Sequence, residues 1–83
     1  MGSASRIRPV CLPKKLLRIR TDLSLSQIEL AEELSFGEFH LRKSDISRYE
    51  SGLREPSLIV LLGYARLAQV TMETLVDDEI RFP

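Results

Sequence analysis

The side chains with the most suggestive chemistry lie in one stretch, "SDISRYESGLREPS", Ser44 to Ser57. Its first part combines short or hydrogen-bonding side chains with apolar residues only at Ile46 and Tyr49. A helix that enters the major groove of DNA, about 12 Å wide, has to present such side chains to the base edges. The pattern therefore predicts a groove-binding helix over about 43–51, with Ile46 and Tyr49 facing the core.

The sequence offers little for catalysis. His40 is the only histidine and Cys11 the only cysteine, so neither a Cys/His metal site nor an internal disulfide is available. His40 lies in a connector, and no Ser/His/Asp order has a credible scaffold for a nucleophilic triad. There is no glycine-rich phosphate loop. Carboxylates are grouped at Glu32 and Glu33 and again at 77–79, where a solvated helix face and a solubilising terminus account for them. We therefore expect a protein that is not an enzyme and needs no cofactor or metal.

The charges are distributed unevenly, although the net charge is zero. Residues 1–20 contain six cations and no anion, whereas residues 71–83 contain four anions and one cation. A composition of 43% hydrophobic and 29% charged residues is that of a globular domain. No apolar run approaches the ~18 residues of a membrane span, so no membrane partner is expected. These features predict a single cytoplasmic domain with a basic face.

The elements that would position the 44–57 stretch are helices. A first helix of about nine residues, with a cationic outer face, is predicted to begin near Pro13 and Lys14 and to end near Asp22. The sequence "SQIE" at 26–29 is a capping box that starts a second helix. That helix is predicted to end near Ser35.

The later helices are marked by caps. Gly52 ends the third helix, Ser57 caps the fourth and most apolar one, and Thr71 caps a short fifth through Val76. Apolar spacing predicts their inward residues together with those of the second helix: Ile28, Leu30, Ala31, Leu34, Leu58, Leu61, Leu62, Ala65, Leu67, Ala68, Met72, Leu75 and Val76. No stretch alternates with the period of a strand, so the fold class is all-α, a compact five-helix bundle.

These elements resemble the Cro/cI-type helix-turn-helix domain of phage repressors and many bacterial regulators. The motifs that carry the resemblance are "LSQIELA" at 25–31, "ISRYESG" at 46–52 and "REPS" at 54–57, within a match from about Leu16 to Asp78. The resemblance implies a lambda-repressor-like fold and a sequence-specific transcriptional regulator that binds double-stranded DNA as a homodimer. The fifth helix and the tail are expected to form the dimer surface.

The resemblance also implies individual roles. The implied DNA contacts are Gln27 to the sugar-phosphate backbone, Lys43, Ser44 and Arg48 to base edges, Arg42 and Ser47 at the groove wall, and Arg54 along phosphate. Arg20 and Glu50 match a structural ion pair between the first and third helices. The domain is expected over 13–78, with a basic arm at 1–12 and a tail at 79–83. The arm either reaches along DNA or is simply solvated.

The turn before the third helix is longer than in most members of that family, since fifteen positions separate Ala31 from Ile46. The additional residues lie within "SFGEFHLRK", 35–43. A longer second helix, a bulged loop and an earlier third helix are all open. The aromatic residues favour a loop in which Phe36 and Phe39 dock on the bundle.

An alternative function is a protein-interaction or antitoxin-like subunit that uses the same scaffold, with DNA binding secondary. The zero net charge, the enlarged apolar turn and Asp45 favour it, because an anion close to phosphate costs affinity. Asp45 is expected to cap the N-terminus of the third helix, and acceptance of a hydrogen bond from cytosine N4 is also open.

Overall fold

The computed structural model describes residues 8–82, which fold into five helices. They are α1 (Leu12–Asp22), α2 (Gln27–Leu34), α3 (Lys43–Ser51), α4 (Leu58–Ala68) and α5 (Met72–Val76). The predicted all-α class is confirmed. Among these helices none has the length and apolar character that crossing a membrane requires. Arg6 of the predicted arm lies outside the described residues.

Helix α1 starts earlier than the sequence indicates and has eleven residues instead of about nine. The backbone N–H groups of Val10 and Cys11 donate to the two carboxylate oxygens of Asp78, at 2.8 and 2.9 Å. The helix therefore begins at Leu12, which is buried, and Pro13 lies in the first turn, where its missing N–H costs nothing. The hydrogen bonds from the N–H groups of Cys11 and Val10 lower the pKa of Asp78. Its carboxylate is therefore ionised at neutral pH and accepts both bonds.

Helix α2 has the predicted capping box. The Ser26 hydroxyl accepts from the Glu29 N–H at 3.0 Å, and the Glu29 carboxylate accepts from the Ser26 N–H at 2.8 Å. The inward assignment of Ile28 is wrong, because its side chain is 54% exposed. It lies two positions before the buried Leu30, which turns it about 200° around the helix and away from the core.

The enlarged turn is a short looped hairpin and not a longer helix. Phe36 and Phe39 pair through their backbones, with N–H to O distances of 2.9 and 2.8 Å, around a left-handed Gly37. The Ser35 hydroxyl holds both ends, since it donates to the Ala31 carbonyl and accepts from the Leu41 N–H. The prediction that the two phenylalanines dock on the bundle is wrong for Phe36, whereas Phe39 is 36% exposed. Phe36 is 59% exposed and packs on Phe39 at 5.3 Å between ring centroids, while Leu41 is the residue that packs against the core.

Helix α4 contributes four buried side chains to the core, although several of them differ from the residues predicted. Ser57 caps it by accepting from the Val60 N–H at 3.3 Å. Its fully or nearly buried side chains are Val60, Leu61, Tyr64 and Ala65. The inward assignment of Leu58 is wrong, because that side chain is 73% exposed. Apart from Gly63 and Arg66 the residues of α4 are apolar, so the sequence gives little hydrophobic phase from which its inner face can be read.

Lys15 is a structural residue of the core and not part of a cationic outer face, which corrects the sequence interpretation. Its side chain is 6% exposed. The ammonium donates to the carbonyls of Thr74, Asp77 and Ile80 at 2.7, 3.0 and 3.1 Å. These carbonyls belong to the end of α5 and the turn after it, where a cation satisfies acceptors that no helical N–H can reach.

Lys15→Met tests this role. The substitution keeps the apolar stem and removes the ammonium, which leaves three carbonyls without their donor. We expect the free energy of unfolding, measured by urea denaturation, to fall by about 2–4 kcal/mol. Lys14→Met is the matched control on the exposed side of α1 and should change stability little. An equal effect of the two substitutions would contradict the assigned role.

Candidate nucleic-acid interface

Helix α3 has both ends fixed by side-chain and backbone caps, and its bounds are those predicted. At its N-terminus the Asp45 carboxylate accepts from the Arg42 N–H at 2.8 Å. This bond confirms the expectation that Asp45 caps the helix. The second oxygen of Asp45 accepts a hydrogen bond from Arg54 at 3.3 Å. At its C-terminus Gly52 adopts a left-handed conformation with φ of 80°, and its N–H returns to the Tyr49 carbonyl.

The two sides of α3 differ completely. Ile46 and Tyr49 are buried in the core, as predicted. The opposite side exposes short polar residues and one cation at helical spacing: Ser44, Ser47, Arg48 and Ser51. Ser51 is absent from the predicted contacts, although its position seven residues after Ser44 places it on the same face. Its hydroxyl donates to the Arg48 carbonyl at 3.2 Å.

The predicted ion pair connects α1 to α3. The Arg20 Nε and Nη2 atoms donate to the two oxygens of Glu50 at 2.6 and 3.0 Å, a bidentate geometry. The remaining Nη1 donates to the Leu25 carbonyl at 3.0 Å, just before α2. The hydrogen bond with Glu50 raises the pKa of Arg20 above its ordinary value. The pair therefore stays charged and fixes the position of α3.

Gln27 belongs to the same network. Its amide Nε2 donates to Glu50 at 3.0 Å, and its side chain is only partly exposed. This bond holds the first residue of α2 against α3. The predicted backbone-contacting glutamine is thus adjacent to the predicted base-reading helix, and Glu50 is the residue that joins them.

The cations near α3 come from three segments. Arg42 and Lys43 are exposed at its start and Arg48 on its outward face. Arg54, in the following turn, is exposed but held by Asp45. Arg8 from the arm lines a small cavity with Arg54 and Gly52, so the described end of the arm runs beside this turn. The structure thus brings all predicted contacts from Arg42 to Arg54 into one region around α3.

The other N-terminal cations do not form a continuous basic surface, which corrects the predicted basic face. Lys15 is buried and Arg20 is paired with Glu50. Arg18 lies over the Phe82 ring at 5.3 Å and 3.5 Å from Asp22. In residues 8–20 only Arg8 and Lys14 remain as exposed cations without such a role.

Tyr64 is fully buried in the core, and its hydroxyl has no hydrogen-bond partner in residues 8–82. Burial raises the pKa of Tyr64, and the Glu50 carboxylate adds to the effect. The neutral phenol is therefore favoured by folding. Its contribution to stability is complete below the pKa of an unfolded tyrosine, about 10, and is lost as the pH rises above it.

Tyr64→Phe removes a buried donor that lacks a partner. We expect the variant to keep its stability at pH 7 or to gain up to about 1 kcal/mol in free energy of unfolding. Above a pH of about 10 the gap in stability should widen, because only the wild type loses stability through ionisation of this phenol. Urea denaturation at both pH values measures this, and a clear loss at pH 7 would show that the hydroxyl is satisfied in solution.

Comparison with protein families supports the interpretation of α2 and α3 as a helix-turn-helix. A model of the helix-turn-helix family, Cro/C1-type, matches residues 16–75, from the middle of α1 to α5. The match includes α2, the enlarged turn, α3 and every predicted contact from Gln27 to Arg54. A comparison with curated proteins finds no match.

Proposed function

We propose that this chain, which belongs to the Cro/C1-type helix-turn-helix family of DNA-binding regulators, binds specific sequences in double-stranded DNA through α3. The observation that carries the proposal is the two-sided character of α3. Ile46 and Tyr49 hold one side in the core, and the opposite side presents Ser44, Ser47 and Arg48. The protein then regulates transcription by occluding an operator or by recruitment, and it performs no chemistry.

Specificity comes from side chains that match base edges. Arg48 and Lys43 donate hydrogen bonds to the O6 and N7 acceptors of guanine. The short Ser44 hydroxyl both donates and accepts, so it can hydrogen-bond to base edges of more than one type. Each well-placed bidentate contact discriminates by about 1–3 kcal/mol. Ser47 packs at the groove wall beside them.

Affinity and register come from contacts to phosphate. The free N–H groups at the start of α2 and the Gln27 side chain bind one phosphate group, since helix N-termini attract anions. Arg42 and Arg54 contact the backbone on either side of α3. Arg8, beside Arg54, extends this path along the arm. Counterion release from such contacts makes the affinity strongly dependent on salt.

Two copies of the chain act together in this proposal. A single α3 reads only a few base pairs, and dimers of this kind of motif bind two half-sites about 34 Å apart. The homodimer thus doubles the number of base contacts without a second domain in each chain.

A second candidate function has one observation in its favour. In the enlarged turn Phe36 is 59% exposed and Phe39 36% exposed, as in a protein-binding loop. In a protein-interaction or antitoxin-like subunit this loop binds another protein and the α3 surface is secondary. The two functions differ in whether α3 determines a DNA consensus.

Arg48→Ala tests base reading. Selection from random duplex DNA should first yield a consensus for the wild type, and one half-site is then used in titrations at fixed salt. We expect the variant to bind this half-site about 5- to 150-fold more weakly and to lose preference at one base position. Arg81→Ala, an exposed arginine in the tail, is the matched control and should bind as the wild type does. A wild type that enriches no consensus, or an unchanged consensus for Arg48→Ala, would refute the proposal.

Arg42→Ala tests the phosphate contact. Because the backbone is the same at every sequence, the variant should weaken binding to specific and random duplexes by the same factor. The slope of log affinity against log salt should become less negative by about 1. A change of consensus with an unchanged slope would place Arg42 at a base and not at phosphate.

A further inference from the structure

Helix α4 has an apolar side that nothing in residues 8–82 covers. Val60, Leu61, Tyr64 and Ala65 fill the core side. On the outward side Leu58 is 73% exposed and Ile59 54% exposed, and Leu62 is only partly buried. A helix that is hydrophobic all round is normally buried all round. The exposed side of α4 is therefore expected to meet another molecule.

This side of α4 continues into the enlarged turn. Phe36, Ile59 and Leu62 line one groove of about 320 Å³ between the end of α2 and α4. Phe39 packs against Phe36 at the edge of this region. We call the set Phe36, Phe39, Leu58, Ile59 and Leu62 the α4–turn surface. Leu58 lies one helical turn before Leu62, so it extends the groove along α4. A group of exposed apolar and aromatic side chains of this kind marks a protein-binding site in a small domain.

The groove carries one charge of each sign. Glu33 lies at its α2 edge and Arg66 at its α4 edge. Neither side chain takes part in a salt bridge with another residue of 8–82. A two-fold interface brings the same surface of two molecules together, so a surface with an unpaired cation and an unpaired anion complements itself. This charge pattern favours a second copy of the chain as the occupant.

The end of the bundle around α5 is less suited to this role. Leu75 is buried, and the carbonyls of Thr74, Asp77 and Ile80 accept hydrogen bonds from Lys15. Asp78 holds the start of α1, and Phe82 lies under Arg18. Much of the fifth helix and the tail, the dimer surface expected from the sequence, is therefore already used within the monomer.

We propose that the α4–turn surface binds the same surface of a second copy, with Ile59 and Phe36 near the two-fold axis. Arg66 of each copy then pairs with Glu33 of the other. The inference rests on the proposed function in one respect: binding to two half-sites requires two copies of the chain. It specifies which surface joins them and assigns the enlarged turn to dimer contacts.

Ile59→Glu, studied by sedimentation velocity, tests the apolar part of this interface. Ile59 lies in the first turn of α4, where a carboxylate is compatible with the helix, so the fold should persist and circular dichroism checks it. We expect the dimer dissociation constant to rise at least about 10-fold, because the anion is buried opposite its own copy. Val76→Glu, on the exposed part of α5, is the matched control and should leave the dimer intact.

A charge exchange tests the predicted pairing. Arg66→Glu alone should weaken the dimer, since two carboxylates then face each other across the interface. The double variant Glu33→Arg with Arg66→Glu should restore the dissociation constant of the wild type. Failure of the double variant to recover would contradict the pairing of Arg66 with Glu33.

Several outcomes would overturn the inference. A wild type that stays monomeric at ~100 µM would leave the surface for a different protein. Dissociation by Val76→Glu and not by Ile59→Glu would place the dimer surface at α5. Titration with duplexes of one and two half-sites separates this inference from the proposed function. Ile59→Glu should weaken binding only to two half-sites, whereas a dimer that binds no DNA consensus would refute the proposed function alone.

Discussion

The ion pair between Arg20 and Glu50 is the interaction on which the geometry of the candidate interface depends. Both side chains are largely removed from water, with 18% and 7% of their surface exposed. Two such charges lose much of their hydration energy, so the pair contributes less to stability than its Coulomb attraction suggests. Its bidentate geometry, in contrast, restricts the angle between α1 and α3. We therefore regard the pair mainly as an orienting contact.

Glu50 extends this restriction to α2. One of its oxygens accepts from both Arg20 and Gln27 at 3.0 Å, so three helices are linked at a single carboxylate. A helix-turn-helix binds DNA with the start of one helix and the face of the next, and their relative position must stay constant. The enlarged turn does not disturb it, because Ser35 pins the ends of the turn and Leu41 returns the chain to the core.

Features determined by neighbours in the sequence could be predicted, and those determined by packing could not. The capping box at Ser26, the cap at Ser57 and the end of α3 at Gly52 each depend on residues within one turn of the helix. The exposure of Leu58 and the burial of Lys15 depend on distant segments. The carbonyls that hold Lys15 lie 59 or more positions away, and no local pattern reveals them. The ion pair between Arg20 and Glu50 joins residues 30 positions apart, so it also depends on packing. It could be predicted only from the resemblance to a family.

A net charge of zero is compatible with DNA binding here because both carboxylates of α3 accept hydrogen bonds from groups of the protein itself. Asp45 receives hydrogen bonds from the Arg42 backbone and from Arg54, and Glu50 receives them from Arg20 and Gln27. Residues 43–51 contain no other carboxylate. Engaged carboxylates repel phosphate less than free ones, since their charge is offset by adjacent donors. The outward face of α3 is therefore cationic close to its surface, where a DNA groove would contact it, although the net charge of the whole chain is zero.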